Sequence, residues 1–180
     1  MKKYIGIYLL IALCITGCQK PDPSKYVTTA FINANLLVGF ASDGLNAELT
    51  QPSTMLVDAD KQTYRELKRT EVMEYKINHA SEALKKIEAL PDDVESRPLV
   101  RVSTDLFQLV LKAYRNEYTQ LAKLYDAGAA PEQIHDLEKL IQVRYRTDYQ
   151  KLSTQLETIG MQYAQQHGVP VMSVNTTPPQ

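Results

Sequence analysis

Cysteine is scarce, with two in 180 residues. That excludes a disulfide-dense scaffold and a zinc site built of four thiolates. A charge excess of either sign is also missing, since 20 basic residues face 21 acidic ones. A nucleic-acid binder that relies on bulk basicity is thereby excluded. Glycine is sparse, and in the body of the chain it falls at expected caps and kinks, so no phosphate-cradling loop appears. There is no Gly-x-Ser-x-Gly elbow, no His-Glu-x-x-His pair and no Walker loop. No apolar run reaches the ~20 residues that a membrane span needs. No internal repeat is visible, and no segment alternates apolar and polar residues as a half-buried strand does. What is there is 44% hydrophobic and 23% charged, the composition of an ordinary folding chain.

The first residues read MKKYIGIYLLIALCITGCQK. Lys2 and Lys3 precede the ten-residue apolar run from Tyr4 to Leu13, and small residues Thr16 and Gly17 precede Cys18. A basic start, a short apolar core and a small-residue cleavage site predict a secretory signal over residues 1–17. Ile15-Thr16-Gly17-Cys18 resembles the lipobox of bacterial lipoproteins. The resemblance covers the signal alone. It implies that Cys18 is diacylated, that cleavage occurs before it and that its new amine is acylated; two or more chains make a lasting anchor. Residue 19 is Gln and not Asp, which by the enterobacterial sorting rule implies an outer-membrane destination on the periplasmic side. Cys14 would leave with the signal and Cys18 would carry lipid. The domain would then hold no disulfide and depend on its core.

Three further divisions are expected. Residues 18–25 form the lipidated cysteine and a polar tether with Pro21 and Pro23. Residues 26–168 form a helical bundle, and residues 169–180, with three prolines, form a loose tail.

Within the bundle the apolar residues recur at three- and four-residue steps. Segment one, Tyr26 to Leu49, carries Val27, Ala30, Ala34, Leu37, Ala41 and Leu45, with a kink expected near Ser42-Asp43-Gly44. Segment two, Ser53 to Leu90, carries the seam Met73, Ile77, Ala80, Leu84, Ile87. Segment three, Pro98 to Ala127, carries Phe107, Leu111, Tyr114, Tyr118, Leu121 and Tyr125. Segment four, Pro131 to Gly168, carries Ile134, Leu137, Ile141, Tyr145, Leu152, Leu156, Ile159 and Tyr163. The short join Gly128-Ala129-Ala130 makes segments three and four antiparallel neighbours. The expected fold is therefore all-α: one antiparallel up-down bundle of about four helices, two of them long. A break or bend is expected in segments two and four, because each would approach ~50 Å as a single helix.

Segment one has only Asp43 and Glu48 charged between Tyr26 and Leu49, which favours central burial over a face left open for a partner or membrane. Glu132-Gln133-Ile134-His135 matches half of a di-iron pattern, but the other ligands such a site needs are missing, so no metal is expected. Two groups combine tyrosine with arginine: Tyr114, Arg115, Tyr118 and Arg144, Tyr145, Arg146, Tyr149. Tyr and Arg anchor protein interfaces. The competing use is structural, with rings inside the bundle edge and hydroxyls in water.

The chain thus reads as a lipid-anchored envelope protein that binds another protein. It is not expected to be an enzyme, to carry a cofactor or to bind nucleic acid. The leading role is an accessory or assembly factor of an envelope complex, as pilotin-like lipoproteins are. The alternatives are an immunity or inhibitor lipoprotein that neutralises a periplasm-directed toxin or hydrolase, and a binder of lipid or another small apolar ligand between the helices.

Overall fold

A computed structural model describes residues 22–51, 53–58 and 60–171. The expected signal, residues 18–21 of the lipidated cysteine and tether, and the tail beyond Val171 lie outside the described residues.

The chain is mostly helical, as its periodicity predicts. Six α-helices are described: α1 Pro23–Tyr26, α2 Asp43–Thr50, α3 Arg69–Glu88, α4 Arg97–Ala113, α5 Thr119–Asp126 and α6 Pro131–Gln166. A π-helical turn, Tyr114–Tyr118, joins α4 to α5 in one helical run. Between α2 and α3 stand two strands, β1 Thr54–Asp58 and β2 Thr63–Glu66.

The seam of α3 sits as its spacing requires. Met73, Ala80 and Ile87 are buried, and Ile77 and Leu84 are partly buried. On α4 and α5, Phe107, Leu111, Leu121 and Ala122 face the interior. Along α6, Ile141, Tyr145, Leu156 and Tyr163 do the same. α4 packs chiefly against α6 and α3. Gly128 takes a left-handed φ of 62° after α5, which lets the chain turn sharply into α6.

Segment one is not one helix. After α1 the chain forms a π-helical turn, Val27–Phe31, and then 3₁₀ turns, Ile32–Leu37, before breaking at Val38–Ser42. The reason lies in what it must span. Phe31 packs on Gly160; Leu37 O accepts from the Tyr149 hydroxyl (2.9 Å), Ala41 O from Arg146 Nε (3.2 Å), and Asp43 from Gln142 (2.8 Å). Segment one therefore runs along α6 in the opposite direction. Residues 142 to 160 of α6 span about 27 Å, whereas residues 31 to 43 wound as an α-helix would span about 18 Å. A 3₁₀ helix rises about 2 Å per residue, so unwinding closes part of that gap. Burial is nonetheless as expected for Val27, Ala30, Leu37, Ala41 and Leu45. An apolar edge made of Ile32, Leu36 and Val38 stays in water.

Segment two is corrected as well. Among its described residues only the second half, α3, is helical; Thr54–Asp58 and Thr63–Glu66 pair antiparallel with Leu56 opposite Tyr64 and an irregularity at Val57. Local chemistry starts it. Asp58 Oδ1 accepts the backbone N–H groups of Asp60 and Lys61, both at 3.1 Å, and Gln62 takes a φ of 49°. The β-branched and aromatic residues Thr54, Val57, Thr63 and Tyr64 suit extended backbone. The bend or break expected in segment four gives no interruption: α6 is helical over 36 residues, about 54 Å. Segment one, α4 and α5 all pack against it, so tertiary contact supports it at many points along its length.

Candidate functional site

Three places concentrate chemistry, and the first lies inside. Phe40 lies in the break between the 3₁₀ turns and α2, and four tyrosine rings surround it: Tyr114, Tyr118, Tyr145 and Tyr149, with centroids 5.8, 5.7, 6.0 and 5.1 Å away. These tilted and edge-on pairings suit the ring quadrupoles. Three of the four hydroxyls bond to the protein. Tyr118 accepts from the Ala41 N–H at 3.1 Å, Tyr149 donates to Leu37 O, and Tyr145 donates to Glu117 Oε2 at 2.9 Å. Burial pushes the Tyr114, Tyr118 and Tyr149 hydroxyls above their usual pKa; for Tyr145 burial and then the Glu117 carboxylate act in the same direction. All four stay neutral.

Ala41 occupies the left-handed region with φ 50°, as does Gly39 with φ 86°. A non-glycine residue there costs about 1–3 kcal/mol and persists only where its surroundings hold it. Here Tyr118 holds the Ala41 N–H and Arg146 holds its carbonyl.

The candidate partner-binding residues can now be placed. Tyr114, Tyr118 and Tyr145 are buried and Tyr149 is half-buried. Their rings pack inward, as the structural alternative had it, but the hydroxyls of Tyr118, Tyr145 and Tyr149 bond to the protein. Arg144 is exposed and pairs with Glu117, whose hydrogen bond holds the guanidinium firmly charged. Arg146 reaches back to segment one. Arg115 stands apart from this group and donates to Ser81 Oγ on α3 at 2.9 Å. Cys18 lies outside the described residues. Glu132 and His135 are exposed in the opening turns of α6. Among the described residues, no group of three or more His, Cys, Asp or Glu is arranged to hold a metal ion. Among the same residues, no helix is long and apolar enough to cross a membrane.

The second place is the hairpin, which the sequence analysis missed. Met55, Leu56, Val57 and Tyr64 are 44%, 45%, 50% and 62% exposed, so none has found a core. The hairpin is tied to the helices mainly at its base. Leu67 N donates to Ser53 O at 2.7 Å, and Arg65 makes a two-pronged bond to Glu71 of α3 at 2.8 and 2.9 Å. Glu71 also accepts the Lys68 N–H at 2.9 Å. Asp126, from the end of α5, caps α3 from outside by accepting the Arg69 and Thr70 N–H groups at 2.7 and 3.0 Å. The signal that could have revealed the hairpin is the pair Thr-Met-Leu-Val-Asp and Thr-Tyr around a polar turn. It lacks the Asn-Gly or Asp-Gly that usually marks one.

The third place is a groove of about 520 Å³ between α2 and the start of α6, closed at one side by Tyr125. Its lining includes Asp43, Asn46, His135, Glu138 and Gln142.

The fold and these surfaces define a small, mostly helical domain with an aromatic interior and a projecting two-stranded hairpin. No protein-family model, no curated protein and no solved structure matches the chain.

Proposed function

We propose that this chain is a lipid-anchored protein of the bacterial outer membrane, facing the periplasm, that binds another protein as an accessory or assembly factor of an envelope complex. We read it as a binder and not as an enzyme, built on one antiparallel up-down bundle. The lipobox at Ile15–Cys18 supports the anchor.

The observation that carries the binding role is the hairpin. A lone two-stranded hairpin is marginal in water. This one keeps four apolar side chains exposed and leaves the outer edge of each strand without a neighbouring strand in the described sheet. Such edges take up an extended segment of a partner through main-chain hydrogen bonds, with side chains adding specificity. The position of the hairpin agrees. Tyr26, near the start of the described chain, bonds through its hydroxyl to Pro91 O at 2.9 Å, just beyond the end of α3. The hairpin joins the start of α3, about 30 Å away along that helix. A four-residue link from Cys18 to Asp22 reaches at most about 14 Å. The hairpin is thus at the end of α3 remote from the anchor.

The test is photo-cross-linking from position 64 in the full-length protein in its own envelope, compared with exposed control positions 75 on α3 and 143 on α6. One protein captured from position 64 and absent from the controls is the expected result. Equal capture from all three positions, or none from the hairpin, overturns the reading. Fatty-acid labelling that is lost in Cys18→Ser is expected for the anchor, and labelling that persists refutes it.

A further inference from the structure

We infer that the apolar edge of segment one, made of Ile32, Leu36 and Val38, is a second membrane contact. It rests on the lipid surface that holds the anchor and lays the domain on its side, with α6 along the membrane. The inference rests on the lipid-anchor part of the proposed function.

Local winding builds the edge. Ile32–Leu37 is a 3₁₀ helix. With three residues per turn, side chains three apart stand one above another. Ala34 and Leu37 therefore share the inner side, where Leu37 is fully buried and Ala34 packs against the core. Ile32 and Val38 share another side, two turns apart, with Leu36 next to them. Their exposures are 41%, 72% and 47%. The inner side is occupied, since this stretch packs on α3 and α4 and Leu37 O accepts from Tyr149 of α6. The edge is what those contacts leave over.

Three observations select a membrane as its partner. The first is charge. No charged side chain occurs between Lys25 and Asp43, in a chain that is 23% charged. Setting this stretch against lipid strips no ion of its water, and burying an ion is the costliest part of such a contact. The second is position. The four-residue link from Cys18 to Asp22 reaches at most about 14 Å. Ten further residues, wound as helix, add about 15 Å before Ile32. The edge thus begins in the first segment that the tether brings to the surface. The third is size. Three side chains fall far short of the roughly 800 Å² that each partner gives to a stable protein interface. A surface to which the chain is already tied needs no such area, because the tether makes the contact intramolecular. Apolar side chains on such a strip sink into the boundary between headgroups and acyl chains.

The test is methyl NMR on the isotope-labelled full-length lipoprotein, purified from its own envelope. It is placed in nanodiscs of phosphatidylethanolamine and phosphatidylglycerol that carry nitroxide on their acyl chains. The methyl signals of Ile32, Leu36 and Val38 should be lost, and those of Leu109 on α4 and Leu56 on the hairpin kept. Val94 reports the competing upright pose, because it is 73% exposed and lies three residues past Pro91, whose carbonyl holds Tyr26. Retained signals at the edge overturn the inference, with or without loss at Val94. The loss should persist in high salt, since no ion pair makes the contact, and recovery in salt overturns it. When Leu36→Asn is combined with Val38→Asn, the Ile32 signal should return while the unfolding midpoint stays that of the parent. An Ile32 signal still lost in that folded variant also overturns the inference. Mass spectrometry of the same sample separates the two readings. Cys18 without fatty acid strikes the anchor and this inference together. Acylated Cys18 with retained edge signals strikes this inference alone. Neither outcome alters the hairpin cross-linking.

Discussion

The Phe40 cluster and the hairpin depart from helix in opposite ways. Around Phe40 the backbone is irregular, with two residues at positive φ, yet Leu37, Phe40 and Ala41 are buried, and the N–H and carbonyl of Ala41 are held by side chains from distant helices. In the hairpin the backbone is paired strand to strand, apart from the irregularity at Val57, yet its side chains stay in water. Regularity and burial are thus separate matters. Where tertiary contact is dense it imposes an awkward backbone. Where contact is thin, local turn chemistry decides, and the surface remains free for another molecule. The tyrosines that looked like partner anchors in the sequence belong to the first region; the hairpin belongs to the second.

The sharpest way to break the contrast is to empty the first region. Phe40→Ala removes the ring that four tyrosines surround, and should destabilise the domain by about 3–5 kcal/mol in denaturant unfolding. A loss below about 1 kcal/mol would mean that the cluster collapses freely and holds nothing.

A smaller effect is expected at Gly160 on α6. A Cβ there would lie 2.5 Å from Phe31 Cγ, inside the contact distance. Glycine in mid-helix usually gains from replacement by alanine. Here Gly160→Ala should instead cost about 1–3 kcal/mol, and adding Phe31→Ala should recover part of it. Simple additivity of the two changes would refute the close approach.

At the base of the hairpin the expected effects shrink. Burial pushes the Asp126 carboxyl upward, but the hydrogen bonds from Thr70 and Arg69 outweigh it and hold the group below its ordinary value. Asp126→Ala should cost about 1 kcal/mol, the usual worth of a helix cap, read as faster amide exchange in the first turn of α3. An unchanged exchange rate there would show the cap to be idle.

The smallest effect is a pH response confined to the hairpin. The Arg65 side chain and then the Lys68 N–H hold the Glu71 carboxyl down from 4.5 to about 2. A group lowered in the folded state contributes stability above its unfolded value and loses it as pH falls through the folded one. Hairpin amides should therefore lose protection from about pH 4.5 down to about 2, before the Phe40 cluster responds, and Glu71→Gln should remove that dependence. Simultaneous loss in both regions would mean that hairpin and core unfold as one unit.

Much of the framework was legible in advance. The apolar spacing on segments three and four and the later half of segment two marked their buried faces residue by residue, and Gly128 with Pro131 marked the turn between α5 and α6. Those features are written in neighbours three and four residues apart, which is the distance over which helix periodicity acts. The groove between α2 and α6 was not legible. Its two walls come from segments whose contact depends on how segment one lies along α6.

By itself the sequence determined helices, their inward faces and a lipobox-like start, since each depends on local spacing. Tertiary structure decided the rest. It unwound segment one, because an α-helix of that length falls short of the path along α6. It turned the tyrosines inward onto Phe40, capped α3 with a carboxylate from α5, and left the hairpin beyond the reach of the core.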